Sequence, residues 1–586
     1  MNILIEKTRI SGFRGLENIE VELEQTTILT GMNNSGKTSF IKALQLAFGQ
    51  RQFITQDDFY IKNNVSSKQI IVDLLIIPVD KHFQRIEDFS EDWEILFTTD
   101  RIKTDGVNSF IPLRTIITFD TIKNTYKSKQ YSMQKWPLYF KEGTYWYDSD
   151  NGNKTSFNFD ELPFFYMDAQ RDILEDTKLR SSYLGKMLSK FEYSADEIIE
   201  IETKIKELND KTVSSSEILS NLKNTLKELD LAMGSNTDGI DITPFTKKIR
   251  DLSKGLTIYY SDNNDSFSME YHGMGTRSWS SLLTLKSYIL LLSNNAEAES
   301  NIFFPIIAIE EPEAHLHPNA QKKLYSQINA IKGQKIISTH SPYIAATAEL
   351  NEIRNFYKND IVTCGKIMMD KLKSEDIRKI RRQVINTKGE IFFSKAIIFF
   401  EGETEEQALP IFSERYFGLS PVEMGLDFVG VGGYNNYLPF LRFADNLNIP
   451  WFILSDAEAD VIPCIGKQII KSETVMCEED VVVFLDCGND FERQLIDDGF
   501  IDEIKKSIAS FDEYKNEQHR KAKENSRLKE IADYTNDELY TIITNGKTKY
   551  APVIAEQIIA SSKPLPPKLV DLFEKIAALL HIVEVN

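Results

Sequence analysis

The sequence predicts an α/β protein assembled from consecutive domains, and three observations carry that prediction. A glycine-rich loop, Gly31-Met-Asn-Asn-Ser-Gly36-Lys37-Thr38, stands between a short apolar run, Thr26 to Thr30, and an amphipathic stretch, Ser39 to Phe48. After residue 400, carboxylates repeatedly follow apolar runs of strand length. Between these regions, residues 176–256 carry apolar side chains at helical steps. With 586 residues the chain has material for about two to four domains.

Composition narrows the classes. Hydrophobic residues make up 42% and aromatics 11%, enough for packed cores. The cysteines Cys364, Cys464, Cys477 and Cys487 show no CxxC spacing, and the N-terminus does not read as a signal peptide. A reducing, cytoplasmic setting is therefore expected. Apolar runs such as Ile391 to Phe400 have strand length, so no membrane association is expected. The formal charge of −20 argues against a general nucleic-acid coat. It leaves room for a metal-dependent enzyme acting on phosphodiesters, because bound divalent ions offset carboxylates. The basic residues between Lys515 and Lys529 read either as a local groove or, more plainly, as a solvated helix face.

In chain order, Leu4 to Ile10 and Ile19 to Leu23 read as strands joined at Phe13-Arg14-Gly15. Thr26 to Thr30 is a buried strand and Ser39 to Phe48 a helix. Residues 69–78 and 110–120 are expected as strands of an antiparallel insert, followed by a polar stretch to about 157. Ile201, Ile205 and Leu208, then Leu219, Leu222, Leu226 and Leu229, mark two short helices separated by Asn209 to Ser216. They read as an internal hairpin, a dimer contact, or ordinary helices packed on the core. Ile302 to Ile309 and Lys335 to Ser338 are buried strands. A new α/β unit starts near 391, with strands at Ala396–Phe400, Asp427–Val431, Trp451–Leu454 and Val481–Leu485, and a helical tail after 500.

The glycine-rich loop fits GxxxxGK[ST] between a strand and a helix. Its backbone N–H groups, including those at Asn34, Gly36 and Ser39, are placed to wrap phosphates at a helix N-terminus. Lys37 would reach the β/γ-phosphates of ATP and Thr38 would help hold Mg²⁺. Ile306 to Ile309 ends in Glu310-Glu311-Pro312, which would set Glu310 toward Mg²⁺ and Glu311 as the base orienting water. His340 follows the next strand and is a candidate γ-phosphate sensor. His315 and His317 form an HxH without further ligands at zinc spacing, so they are assigned to the following loop and a contact with a neighbouring subunit.

These residues resemble the ABC-type ATPases of the RecF/SMC/Rad50 group. The likeness rests on Phe13-Arg14-Gly15, the phosphate loop, Glu310-Glu311-Pro312 with Glu313-Ala-His-Leu-His-Pro318, and Thr339-His340-Ser341. It implies that Gln170, in Asp168-Ala-Gln170-Arg171-Asp172, links Mg²⁺ to the lobe. It also implies a signature segment upstream of Glu310. There the chain reads His272-Gly273-Met274-Gly275-Thr276-Arg277-Ser278, which departs from Leu-Ser-Gly-Gly. Gly273, Gly275 and Ser278 would offer its backbone and hydroxyl donors.

In the second unit, Glu401 follows a buried strand and Glu405 lies one turn into the next helix, with Gly402 expected to allow a sharp turn. Asp456, with Glu458 nearby, and Asp490 with Glu492 follow two further strands. Strand carboxyl ends are where α/β sheets gather ligands. Oxygen ligands of this kind suit Mg²⁺ or Mn²⁺, and two-metal phosphodiester hydrolysis needs several of them. The arrangement is similar to a Toprim domain, with Glu401 as its first acid, Asp456-Ala457-Glu458 at its DxD position and Val429-Gly-Val-Gly-Gly433 as the glycine-rich strand.

ABC ATPase followed by Toprim resembles the OLD (overcoming lysogenization defect) nucleases along nearly the whole chain. The implied layout is 1–175 and 257–390 for the two parts of the ATPase, 176–256 for a helical insert, and 391–586 for Toprim with a helical tail. The likeness implies metal ligation by Glu401, Glu405, Asp456, Asp490 and Glu492. It also implies a late lysine at the transition-state phosphate, Lys547 with Lys549 as rival. It further implies ATP-regulated cleavage of DNA by a homodimer or higher homo-oligomer. The setting would be anti-phage defence beside a UvrD-like helicase, as in Gabija, or a retron. The other reading is a RecF-like DNA clamp or repair scaffold that does not cut. A topoisomerase or primase lacks a recognisable tyrosine-nucleophile domain or zinc motif.

Overall fold

The computed structural model describes residues 2–581 except 51–53, 121–123, 158–159, 180, 189–194, 221, 223–243, 245–257, 263–264, 386–388, 487, 511–515 and 562. The chain divides into two compact units, Met1–Phe159 with Gln334–Asn586, and Asp160–Gly333.

In the first unit, Asn2–Phe13 pairs antiparallel with Leu16–Glu22 on one side and Gln69–Val79 on the other. Ser109–Asp120, Thr125–Ser132 and Asn153–Thr155 extend the sheet from there. The strands expected at 69–78 and 110–120 thus continue the N-terminal sheet directly and are not a separate insert. Asp73 and Arg114 face each other across this sheet, both fully buried, in a bidentate pair with bonds of 2.8 and 2.7 Å.

A second, mostly parallel array carries the phosphate loop. Thr26–Thr30 lies between Gln334–Ser338 and Ile353–Lys358, parallel to both, and Val362–Lys366 adds an antiparallel edge. All five residues of Thr26–Thr30 are buried, as expected for a strand covered on both faces. The chain leaves it at Gly31, with φ of 121°, where an added Cβ would overlap the carbonyl oxygen of Phe356. The helix that follows spans Lys37–Ala47 and buries Phe40, Ile41 and Leu44.

In the second unit, Phe164–Met167 and Ile306–Glu310 pair in parallel. Helix Met274–Ala298 packs on the short helices Ile173–Lys178 and Tyr183–Leu188. Ala195–Ser215 is one helix. The break expected at Asn209 is not there, because Asn209 and Val213 turn inward and are buried. Leu226 and Leu229 lie outside the described residues.

The C-terminal sheet of the first unit has strand order Leu426–Gly430, Ala396–Phe400, Trp451–Ser455, Val482–Phe484, all parallel. Ala396–Phe400 and Trp451–Ser455, the two central strands, are buried at every residue, and an acid follows each directly, Glu401 and Asp456. Helix Lys547–Ala560 of the tail packs on Glu403–Phe417 and on Ile501–Ala509. Helix Glu517–Glu530 buries no residue, and Arg520 pairs with Glu517 and Glu524 on the same helix. That segment is a solvated face; Lys515 lies outside the described residues.

Replacing Gly31 with Ala should strain the exit from Thr26–Thr30 by about 1–3 kcal/mol before any overlap with Phe356 is counted. A lowered unfolding midpoint together with at least tenfold weaker binding of a fluorescent ATP analogue is expected. Unchanged values for both would contradict this account of the loop.

Candidate functional site

Each half of the nucleotide machinery is built within its own unit. Lys37, buried at the loop, donates to the carbonyl oxygens of Gly31 at 2.7 Å and Met32 at 2.8 Å. Asn34, with φ of 60°, and Thr38 are exposed at the loop mouth, and Ser39 is half-buried. His340 follows Gln334–Ser338, and burial with the Lys37 charge pushes its imidazole down to about 4, so it is neutral at pH 7. It lines a cavity of about 450 Å³ with Met32, Asn33, Phe393, Ser394 and Asp427.

In the other unit Glu310 ends its strand, buried, and Glu311 takes a left-handed φ of 43°. The residue that sequence reasoning missed here is Arg171. Its guanidinium donates to the carbonyls of Asp168 (3.2 Å), Glu310 (3.2 Å), Glu311 (3.4 Å) and Pro312 (2.6 Å), so it holds the carboxylate loop by its backbone. A buried arginine beside an exposed Gln170 leaves no periodic signal.

Arg277 ties the signature-like segment to the same place through Asp172, with a bond of 2.9 Å. Gly273 caps helix Met274–Ala298, and a Cβ on Gly275 would overlap the His315 carbonyl oxygen. Ser278 lies on the inward helix face with Leu282 and Leu285 and is buried. His317 caps helix Pro318–Asn329, its Nδ1 accepting from the Asn319 N–H at 3.3 Å, which accounts for half of the HxH without a metal. His315 is exposed.

The carboxylates of the C-terminal sheet converge at one edge. Glu401 follows Ala396–Phe400 and accepts a hydrogen bond from the Ser455 hydroxyl; burial raises its carboxyl above the ordinary range. Gly402 is extended, with φ of −121°, so no left-handed turn is needed there. A Cβ at Gly402 would instead crowd the Glu405 carboxylate at 2.8 Å. Glu405 is buried, and burial followed by the Glu492 charge pushes it up to about 7. Asp456 is pushed up to about 8, first by burial and then by Glu405, Glu401, Asp490 and Glu492.

Glu492 accepts from the Thr404 hydroxyl at 2.6 Å and pairs with the Lys547 ammonium at 3.0 Å. Asp490 Oδ1 accepts the Arg493 N–H at 2.8 Å, and its Oδ2 accepts the Tyr540 hydroxyl at 2.7 Å. Glu458 is exposed, and its charge adds to the upward push on the Glu401 carboxyl. Lys547 opens helix Lys547–Ala560 and points at the acids, whereas the Lys549 ammonium lies over the Tyr550 ring, 4.9 Å from its centroid. Thr404, Ser455 and Tyr540 were not singled out from sequence. The first two directly precede Glu405 and Asp456, a signal that was available; Tyr540 sits on a distant helix and gives none.

Among the described residues, no three His, Cys, Asp or Glu already stand in an arrangement that holds a metal ion. The acids are nonetheless coupled through space, and the buried Asp456 Oδ1 has no hydrogen-bond partner. Mutual repulsion and an orphaned oxygen both fit a divalent cation, and an all-oxygen donor set suits Mg²⁺ or Mn²⁺.

A phosphate-loop ATPase followed by a parallel sheet with acids at its carboxyl edge defines the ATPase–Toprim class. Comparison with known proteins agrees: residues 4–345 match the AAA ATPase domain family, and residues 392–457 match the "Overcoming lysogenization defect protein-like, TOPRIM domain" family. The chain belongs to the AAA ATPase domain family, carries an OLD-like TOPRIM domain and is homologous to OLD nucleases. The Old nuclease of Escherichia phage P2 is 22% identical over 89% of this chain and 88% of that protein. The OLD nuclease of Thermus scotoductus is 21% identical over 78% and 82%. Endonuclease GajA of Bacillus cereus is 21% identical over 54% of this chain and 49% of its own length. Among solved structures, the C-terminal region of the Burkholderia pseudomallei OLD protein matches at 23% identity, covering 32% of this chain and 99% of that one, with a TM-score of 0.24. No described helix is long and apolar enough to cross a membrane.

Asp456 and Glu405 hold protons in the folded state at pH values where ordinary carboxyls, at 3.8 and 4.5, have lost them. The folded form therefore binds more protons than the unfolded chain between about pH 4.5 and 8, and stability falls as pH rises through that window. In EDTA the melting temperature should drop between pH 6 and pH 9, and Asp456→Asn should flatten the drop. An equally steep drop in the variant would remove Asp456 from this account.

Proposed function

We propose that this chain is an ATP-regulated, divalent-metal-dependent DNA endonuclease. The observation that carries the reading is the convergence of Glu401, Glu405, Asp456, Asp490 and Glu492 at one sheet edge with Lys547 beside them. When bound, a divalent ion would supply Lewis-acid polarisation of the phosphodiester and an activated water. Asp456 and Glu405 would give up their protons to bind it, and Glu401, Asp490 and Glu492 would complete its oxygen shell. Lys547, paired with Glu492, is placed to steady a negatively charged phosphate at the same edge. The geometry supports Lys547 over Lys549 for that role.

On the nucleotide side the proposed roles are phosphate wrapping by Asn34, Gly36, Lys37 and Ser39, Mg²⁺ contact by Thr38, Gln170 and Glu310, water orientation by Glu311, and γ-phosphate sensing by His340. Gly273 and Gly275 as backbone donors and Ser278 as hydroxyl donor make up the signature-like segment. The domain reading is 1–175 and 257–390 for the ATPase, 176–256 for the insert and 391–586 for the nuclease with its tail. The similarity to Old nuclease and Endonuclease GajA supports the nuclease assignment. A cytoplasmic homo-oligomer acting in anti-phage defence, alone or beside a helicase or retron partner, completes the proposal. A non-cutting RecF-like clamp would leave idle a set of charge-coupled acids, of which Glu405 and Glu492 are buried.

Supercoiled and linear DNA should be cut with Mg²⁺ or Mn²⁺, and Glu401→Ala and Asp456→Ala should lose at least 100-fold in rate while still binding an ATP analogue. Lys37→Ala should keep metal-dependent cutting and lose its response to ATP. Cleavage by Asp456→Ala at the wild-type rate would sink the nuclease site.

A further inference from the structure

We infer that Tyr540, in the helical tail, is a positioning residue for Asp490 and so for metal binding at the acid edge; the inference rests on the metal-site reading above. Asp490 is held from two directions. Its Oδ1 takes the Arg493 N–H at the start of helix Phe491–Asp497, and its Oδ2 takes the Tyr540 hydroxyl at 2.7 Å. Each carboxylate oxygen has two lone pairs, so one hydrogen bond on each leaves one free while rotation about the carboxyl bond is stopped. A ligand carboxylate oriented by such outer donors binds its ion more tightly than one free to turn.

The tyrosine is itself held in place. Helix Asn536–Thr544 buries Leu539 and Ile543, which fixes which way its faces point. The Arg493 guanidinium donates to Asp537 at 2.7 Å, joining this helix to the one that Asp490 caps. The same loop-and-helix segment then delivers Lys547 to Glu492 at 3.0 Å. Two successive acids, Asp490 and Glu492, are thus each met by a donor from the tail, one neutral and one charged. The neutral donor is the one that leaves the ligand's charge in place, because a phenol at 2.7 Å orients a carboxylate without pairing its charge.

The alternative is that Tyr540 merely fastens two helices together. Tyr540→Phe separates the two, since it keeps the ring and removes only the hydroxyl. Full-length wild type, Tyr540→Phe and Asp490→Asn would be titrated with Mn²⁺ by calorimetry, and the Mn²⁺ concentration giving half-maximal DNA cleavage would be measured beside it. Tyr540→Phe is expected to bind Mn²⁺ about tenfold more weakly, with half-maximal cleavage shifted by a similar factor. Unchanged Mn²⁺ affinity with a lower melting temperature would overturn the inference and leave a helix fastener. Wild-type affinity in Asp490→Asn, or no Mn²⁺ binding in wild type, would overturn the metal-site reading itself and the inference with it.

Discussion

Repulsion among buried and half-buried carboxylates is the constraint on which the C-terminal half depends. Two unit charges about 5 Å apart at an effective dielectric of 20 cost roughly 3 kcal/mol, and this edge gathers five acids. The fold meets that cost in three ways. Asp456 and Glu405 keep protons near neutrality. Ser455, Thr404 and Tyr540 donate hydrogen bonds to Glu401, Glu492 and Asp490. Lys547 brings one positive charge, at Glu492. A cluster balanced this way is costly as a structural device and well suited to take up a cation.

The phosphate loop shows a related economy on the opposite sign of charge. Lys37 is buried and would be expensive without partners, yet the loop turns its own carbonyls toward the ammonium. Burial, with the charge of the same lysine added, holds the His340 imidazole well below its ordinary range. His340, Asn33 and the Phe393-Ser394 segment line one cavity, and Ser394 lies two residues before strand Ala396–Phe400, which leads into Glu401. Nucleotide loop and nuclease strand are therefore neighbours within one compact unit.

Strand ends were legible because buried parallel strands are continuous apolar runs, and an acid at their end is conspicuous. All four C-terminal strands fall within a residue or two of where the runs place them. Side chains that act across long separations were not legible. Arg171 looks like one more charge in a polar stretch, and only the structure shows its guanidinium on four carbonyls. Asn209 to Ser216 reads as a break because its polarity outweighs one inward Asn and one Val. Lys547 and Lys549 were inseparable as letters, yet two residues along a helix turn a side chain to nearly the opposite side.

The donors from the tail have a further consequence for how the molecule comes into being. Every acid of the edge, from Glu401 to Glu492, is synthesised before Tyr540 and Lys547. At about 5–20 residues per second, the interval between them is on the order of seconds. Throughout that interval the nascent sheet holds its acids without the two groups that orient and balance them. A half-made chain therefore carries its acid edge with Asp490 unbraced and Glu492 unpaired until the tail docks.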